Sequence, residues 1–183
     1  MIVWIGFAAL FVGGVASMAP GPKGDASGPA CGLLPRATLG EALGDAGDGS
    51  REEGPISVEG TPVNVCEYVS GEWFGRGGGG FAWLYVADFP TDVSPERAVR
   101  DLAEARQLSS SDYVLESSDD VGDASWFCVT PPQFSPRQPL CLAAARTSAQ
   151  AVRLVCLFVS GKLNPSPSRS ALIRLVHSVL DRS

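Results

Sequence analysis

Five cysteines and one histidine are the residues of this 183-residue chain with the most chemistry to offer. Cys31, Cys66, Cys128, Cys141 and Cys156 are spaced by 35, 62, 13 and 15 positions. None of these spacings makes the C-x₂-C knuckle of a zinc site, so no metal ligand set and no cofactor is expected. A lone His177 excludes any site built on several imidazoles. Neither His177 nor another base stands beside Cys156 in sequence, as an activated thiol would need. His177 falls beside the apolar stripe of a C-terminal helix and reads as a partly buried structural residue. The chain has neither a G-x-S-x-G elbow nor an S-x-x-K motif. No catalytic residue is assigned and no enzyme activity is expected.

Disulfides are the remaining use of the cysteines. A hairpin with residues 147–150 as its loop would put Cys141 opposite Cys156. Even strands around the proline-rich loop 131–139 would put Cys128 opposite Cys141. All three would then share one rung, where only one pair can form. Cys128–Cys141 is the preferred pair, because Cys156 lies in a strongly apolar strand that suits a buried thiol. Cys141 with Cys156 is the alternative. Cys31 is left to pair with Cys66, closing a loop of about 36 residues, worth roughly 3–4 kcal/mol by chain entropy.

Two further stretches resemble sites. The run Gly75-Arg76-Gly77-Gly78-Gly79-Gly80 looks like a phosphate cradle, but a cradle must lead into a helix N-terminus, and here a strand follows. It reads as a hairpin connection. Its neighbours Trp73 and Phe74, with Arg76, form a candidate partner-binding loop. The serine–aspartate runs 109–112 and 117–120 are turn chemistry.

The elements around these residues follow from periodicity. Residues 35–43 suit a short helix, 45–54 a loop, 58 and 63–69 strands, and 81–89 a stronger aromatic strand. Ser94-Pro95-Glu96 opens the clearest helix. Strands near 113–116, 125–130, 140–146 and 151–159 precede a helix over about 168–181, with Leu172, Ile173, Val176, Val179 and Leu180 on one side. Short turns between consecutive strands favour antiparallel pairing. The expected fold class is α+β: a single antiparallel sheet with packed helices, preceded by an N-terminal hydrophobic helix.

That first helix covers residues 2–18, which carry no charged side chain. It would be about 25 Å long, against a hydrocarbon core of about 30 Å. Residues 1–19 therefore read as a signal peptide or a membrane anchor, and Met1 need not be the true start. No Lys or Arg precedes the apolar run, as one would in an ordinary signal peptide. Residues 20–30 read as a flexible tether, and 31–183 as an exported α+β domain. Gly28 and Pro29 before Cys31 are wrong for lipidation of that cysteine. The apolar share of 45% supports a packed core, and a net charge of −6 excludes a nucleic-acid binder.

The run Cys31-Gly-Leu-Leu-Pro-Arg-Ala-Thr-Leu-Gly-Glu-Ala-Leu-Gly44, then Cys66-Glu67-Tyr68, then Val121-Gly122-Asp123-Ala124-Ser125-Trp126, resembles a family of small exported actinobacterial domains. Twelve arginines against two lysines agree with a high-GC genome. The resemblance covers most of 31–183. Many such domains are lipoproteins, and relatives serve as extracellular sensor domains of receptor kinases. The chain departs from the pattern in lacking a lipobox and in adding Cys128 and Cys141. The resemblance implies no catalytic residues. The export-like terminus, the tether, the disulfide-compatible cysteines and the lack of an assembled catalytic set lead to the expectation of a non-enzymatic cell-envelope domain that binds or senses an envelope protein or small ligand, membrane-anchored or secreted. A carrier of an apolar ligand and a small secreted hydrolase or redox protein are the alternatives.

Overall fold

The computed structural model describes residues 29–43, 49–70, 79–105, 113–133, 139–159 and 168–182. Among the described residues three helices, α1 (Arg36–Leu43), α2 (Pro95–Ala105) and α3 (Arg169–Leu180), accompany eight strands. The strands are β1 (Gly49–Glu52), β2 (Ile56–Val58), β3 (Thr61–Ser70), β4 (Gly79–Phe89), β5 (Val114–Ser118), β6 (Ala124–Val129), β7 (Pro139–Thr147) and β8 (Val152–Val159). Residues 1–19, read as a hydrophobic helix, lie outside the described residues, as do Trp73, Phe74 and Arg76. Among the described residues no helix is long and apolar enough to cross a membrane.

Every strand pairing is antiparallel, and the order across the sheet is β1-β3-β4-β8-β7-β6-β5, with β2 also on β3. The α+β class therefore holds, with the sheet dominant. After β4 the chain crosses through α2 to the far edge, lays down β5, and returns strand by strand until β8 pairs with β4. Helices pack on both faces of the sheet. Leu39 and Leu43 of α1 and Leu172, Leu175, Val176 and Val179 of α3 cover one face, meeting Cys66, Tyr68, Leu84, Phe127 and Leu157. Ala98, Val99, Leu102 and Ala103 of α2 cover the other, among Val65, Tyr85, Leu154, Cys156 and Phe158.

Local chemistry sets the ends. Ser168 is extended (φ −72°, ψ 153°), and its side chain accepts a hydrogen bond from the Ala171 N–H, opening α3. Glu59 and Gly60 both take positive φ (47° and 82°), the two-residue turn that suits a twisted hairpin between β2 and β3.

Two expectations are corrected. The acidic, glycine-rich stretch 45–54 is not all loop: β1 pairs from Gly49↔Val69 to Glu52↔Cys66, with Gly49 and Ser50 buried. Pairing against a buried partner overrides poor strand propensity here. The β7–β8 hairpin is offset by one residue per strand from the expected register. Thr147 pairs with Val152, and Cys141 faces Phe158, not Cys156. The turn is Ser148–Ala151, closed by the Ser148 N–H donating to the Ala151 carbonyl at 2.9 Å.

Candidate functional site

The N-terminal junction of the domain is built by residues 29–35. Cys31 is bonded to Cys66 of β3, with α-carbons 4.9 Å apart, as expected. The Cys31 sulfur is thereby engaged and offers no thiol for a lipid. Glu52 of β1, the register partner of Cys66, accepts hydrogen bonds from the Ala30 and Cys31 N–H groups at 2.9 and 2.6 Å. The Tyr68 hydroxyl, buried on the same face as Cys66, donates to the Leu34 carbonyl at 2.6 Å. Ala30, read as the last residue of the tether, is fully buried and belongs to the fold. A bond, a carboxylate and a phenol thus fix one short segment to the sheet.

The second disulfide, Cys128–Cys141, joins register partners on β6 and β7, again with α-carbons 4.9 Å apart. Cys156 is left as a free, fully buried thiol opposite Ala143, one step along the same face. Burial pushes its pKa up, so the thiolate is disfavoured. His177 is not partly buried: its side chain is 56% exposed and its Nδ1 lies 2.9 Å from Asp181 Oδ2. Helical geometry explains this, since Val176 and Leu180 take the buried stripe and residue 177 lies one step around it. Because α3 packs on the face opposite Cys156, His177 and Cys156 do not meet.

One rung crosses seven strands on the α2 face: Arg51, Glu67, Trp83, Phe158, Cys141, Cys128 and Leu115. Glu67 is buried, and its charge is met by Arg51 and by Trp83 Nε1–H at 3.2 Å. A buried carboxylate needs such partners. Its two partners lie on the strands either side, Arg51 on β1 and Trp83 on β4.

A cleft of about 370 Å³ opens beside the N-terminal junction, between residues 29–33 and the end of the α1/α3 face. Pro29, Leu33, Pro62 and Val86 give it apolar walls, and Asn64, Asp88 and Arg153 give it polar ones. Arg153 donates from Nε to Asp88 Oδ1 at 2.6 Å and from Nη2 to Oδ2, a fork on a carboxylate. This pair raises the already high Arg153 pKa. In register beside Arg153 stands Arg146, which donates to the Leu180 carbonyl and to Asp181, both at 2.9 Å. The Arg146 hydrogen bond holds the Asp181 carboxyl below its ordinary range. Arg182 donates to the carbonyl of Leu33, a wall of the cleft, at 3.4 Å. Sequence reading missed this cleft, because its residues come from three strands and a loop. No family model, curated protein or solved structure matches the chain.

Proposed function

We propose that this chain is a non-enzymatic binding or sensing domain of the cell envelope, working outside the cytoplasm. It would be anchored or exported through residues 2–18. The observation that carries the reading is the pair of disulfides built into the fold, Cys31–Cys66 and Cys128–Cys141. Bonds of this kind persist in oxidising compartments. The uncharged run 2–18 supplies a route across the membrane, and the cleft beside the rigid N-terminal junction supplies a place to bind. The resemblance to exported actinobacterial domains points the same way. The alternatives have less support. An apolar-ligand carrier would want a dry interior space, and this cleft is open and partly polar. A hydrolase or redox enzyme would want Cys156 exposed and a base beside it.

Cell fractionation with intact-mass measurement tests this. Recovery outside the cytoplasm, four hydrogens lighter than the fully reduced chain, is expected. Loss of about 16–19 residues would mark a cleaved signal, and their retention an anchor. Recovery in the cytoplasm with all five thiols titratable would overturn the reading.

A further inference from the structure

We propose that α2 and the β2–β3 turn form a proton-responsive latch on one wall of the cleft, fastened by Arg97 between Glu59 and Asp101. The inference deepens the sensing role proposed above, with the proton as the signal, and rests on it. Among the described residues Glu59 is the one non-glycine at positive φ (47°). Its β-carbon is disfavoured there, and glycine, asparagine or aspartate is what such a turn ordinarily takes. Residues held against that preference are found in switch regions. Here the strained position places a carboxylate beside α2, where Glu59 Oε1 accepts from Arg97 Nη2. The turn then runs through Gly60 and Thr61 to Pro62, which lines the cleft and pairs with Ser57. What holds Glu59 therefore also sets the place of a cleft wall.

One helical turn beyond Arg97, Asp101 Oδ2 is buried, has no hydrogen-bond donor and stands 3.8 Å from Arg97 Nε. One guanidinium thus answers two carboxylates on different elements, and Glu104 adds a third negative charge to the same field. Charged Asp101 draws Arg97 back along α2 and repels Glu59. Neutral Asp101 does neither and leaves the guanidinium to Glu59. Burial first, then Glu59, lets the Asp101 carboxyl keep its proton to higher pH than usual, while Arg97 opposes them. A carboxyl shifted in this direction stabilises the folded arrangement when protonated, and that benefit is lost as pH rises through its folded pKa. Acid therefore tightens the latch and neutral pH slackens it. The other groups around Asp101 keep their charge state. Burial pushes the Tyr113 phenol up, and Arg100 stays charged beside it and Glu96. From β2 and β8, α2 meets Val58, Leu154, Phe158 and the neutral Cys156 thiol.

The test is an NMR pH titration of the full oxidised chain in detergent, at low ionic strength, where an exposed ion pair is least screened. The Asp101 carboxyl carbon, the Gly60 amide and the Pro62 δ-protons should move with one shared midpoint, above the ordinary aspartate value of about 3.9. Hydrogen exchange at Glu59 and Gly60, corrected for its intrinsic pH dependence, should slow by about threefold or more on the acid side. Asp101→Asn should hold the Gly60 and Pro62 signals at their acid positions at every pH. Glu59→Gln should leave Asp101 titrating, at a lower midpoint, with the Gly60 step lost. An unchanged methyl spectrum shows that each variant is folded, and the wild-type midpoints decide the matter if one is not. Separate midpoints for Asp101 and Gly60, a Pro62 signal that does not follow, or a Gly60 step that survives in Asp101→Asn would overturn the proposal. Fractionation reads the compartment and this titration reads the latch, so either can fail alone.

Discussion

Gly122 sits at φ +68°, and a β-carbon there would lie 2.4 Å from the Ala145 carbonyl oxygen and 3.0 Å from Leu180. The next residue donates its N–H to that same carbonyl at 2.8 Å, and the Asp123 carboxylate accepts from the Thr147 N–H at 2.6 Å. Gly122→Ala therefore combines backbone strain with a backbone clash, and should cost about 2–4 kcal/mol in urea unfolding. The Gly-Asp turn was visible in the sequence as a motif, but its reason was not, because the carbonyl it meets is more than twenty positions away. Cys156 gives a second expectation at this scale. Native protein should show no thiol reactive to a maleimide, and unfolded, unreduced protein should show one per chain. Cys156→Ala should cost about 1–2 kcal/mol for the small cavity it leaves.

α1 is short, eight residues, and has little stability of its own. It stays in place through Leu39 and Leu43 and through the bond at Cys31. Replacing Cys31 and Cys66 together by serine should remove about 3–4 kcal/mol from global stability. Hydrogen exchange in residues 29–43 should quicken more than in β7 or β8. On α2, burial raises the pKa of Asp101, and Glu59 adds to the rise, while Arg97 opposes it. A carboxylate with a raised folded pKa favours folding when protonated, and that benefit is lost as pH rises through the folded pKa. Asp101→Asn should therefore raise Tm by roughly 1–3 °C at pH 7 and by nothing measurable at pH 3.

Most elements could be read from sequence because burial on a known face imposes a period of 3.6 or 2. β1 could not, since its four residues owe their strand to β3 rather than to themselves. The β7–β8 register was missed because the Ser148 side chain, accepting from the Gln150 and Ala151 N–H groups, moves the turn one residue along.

At the scale of the whole molecule the joint between β4 and β8 dominates. It pairs Ala82 with Val159 and Phe89 with Val152, bringing the early hairpin against the last strand of the sheet. Pairing so distant in sequence slows folding, and refolding of the oxidised chain in milliseconds to seconds is expected by stopped-flow fluorescence. A chain ended at Thr147 lacks both β8 and α3, and should show no cooperative thermal transition. Neither the strand order nor the cleft could be read from the sequence. Both depend on which distant strands become neighbours, and local patterning carries no record of that.

The same joint has a consequence for biosynthesis. A ribosome adds about 5–20 residues per second, so β8 follows β4 by several seconds. Throughout that interval the nascent chain presents β4, aromatic and unpaired along one side, as an adhesive edge. Until β8 is made its place beside β4 stays empty, so a chaperone would be most needed between the synthesis of Phe89 and Val159.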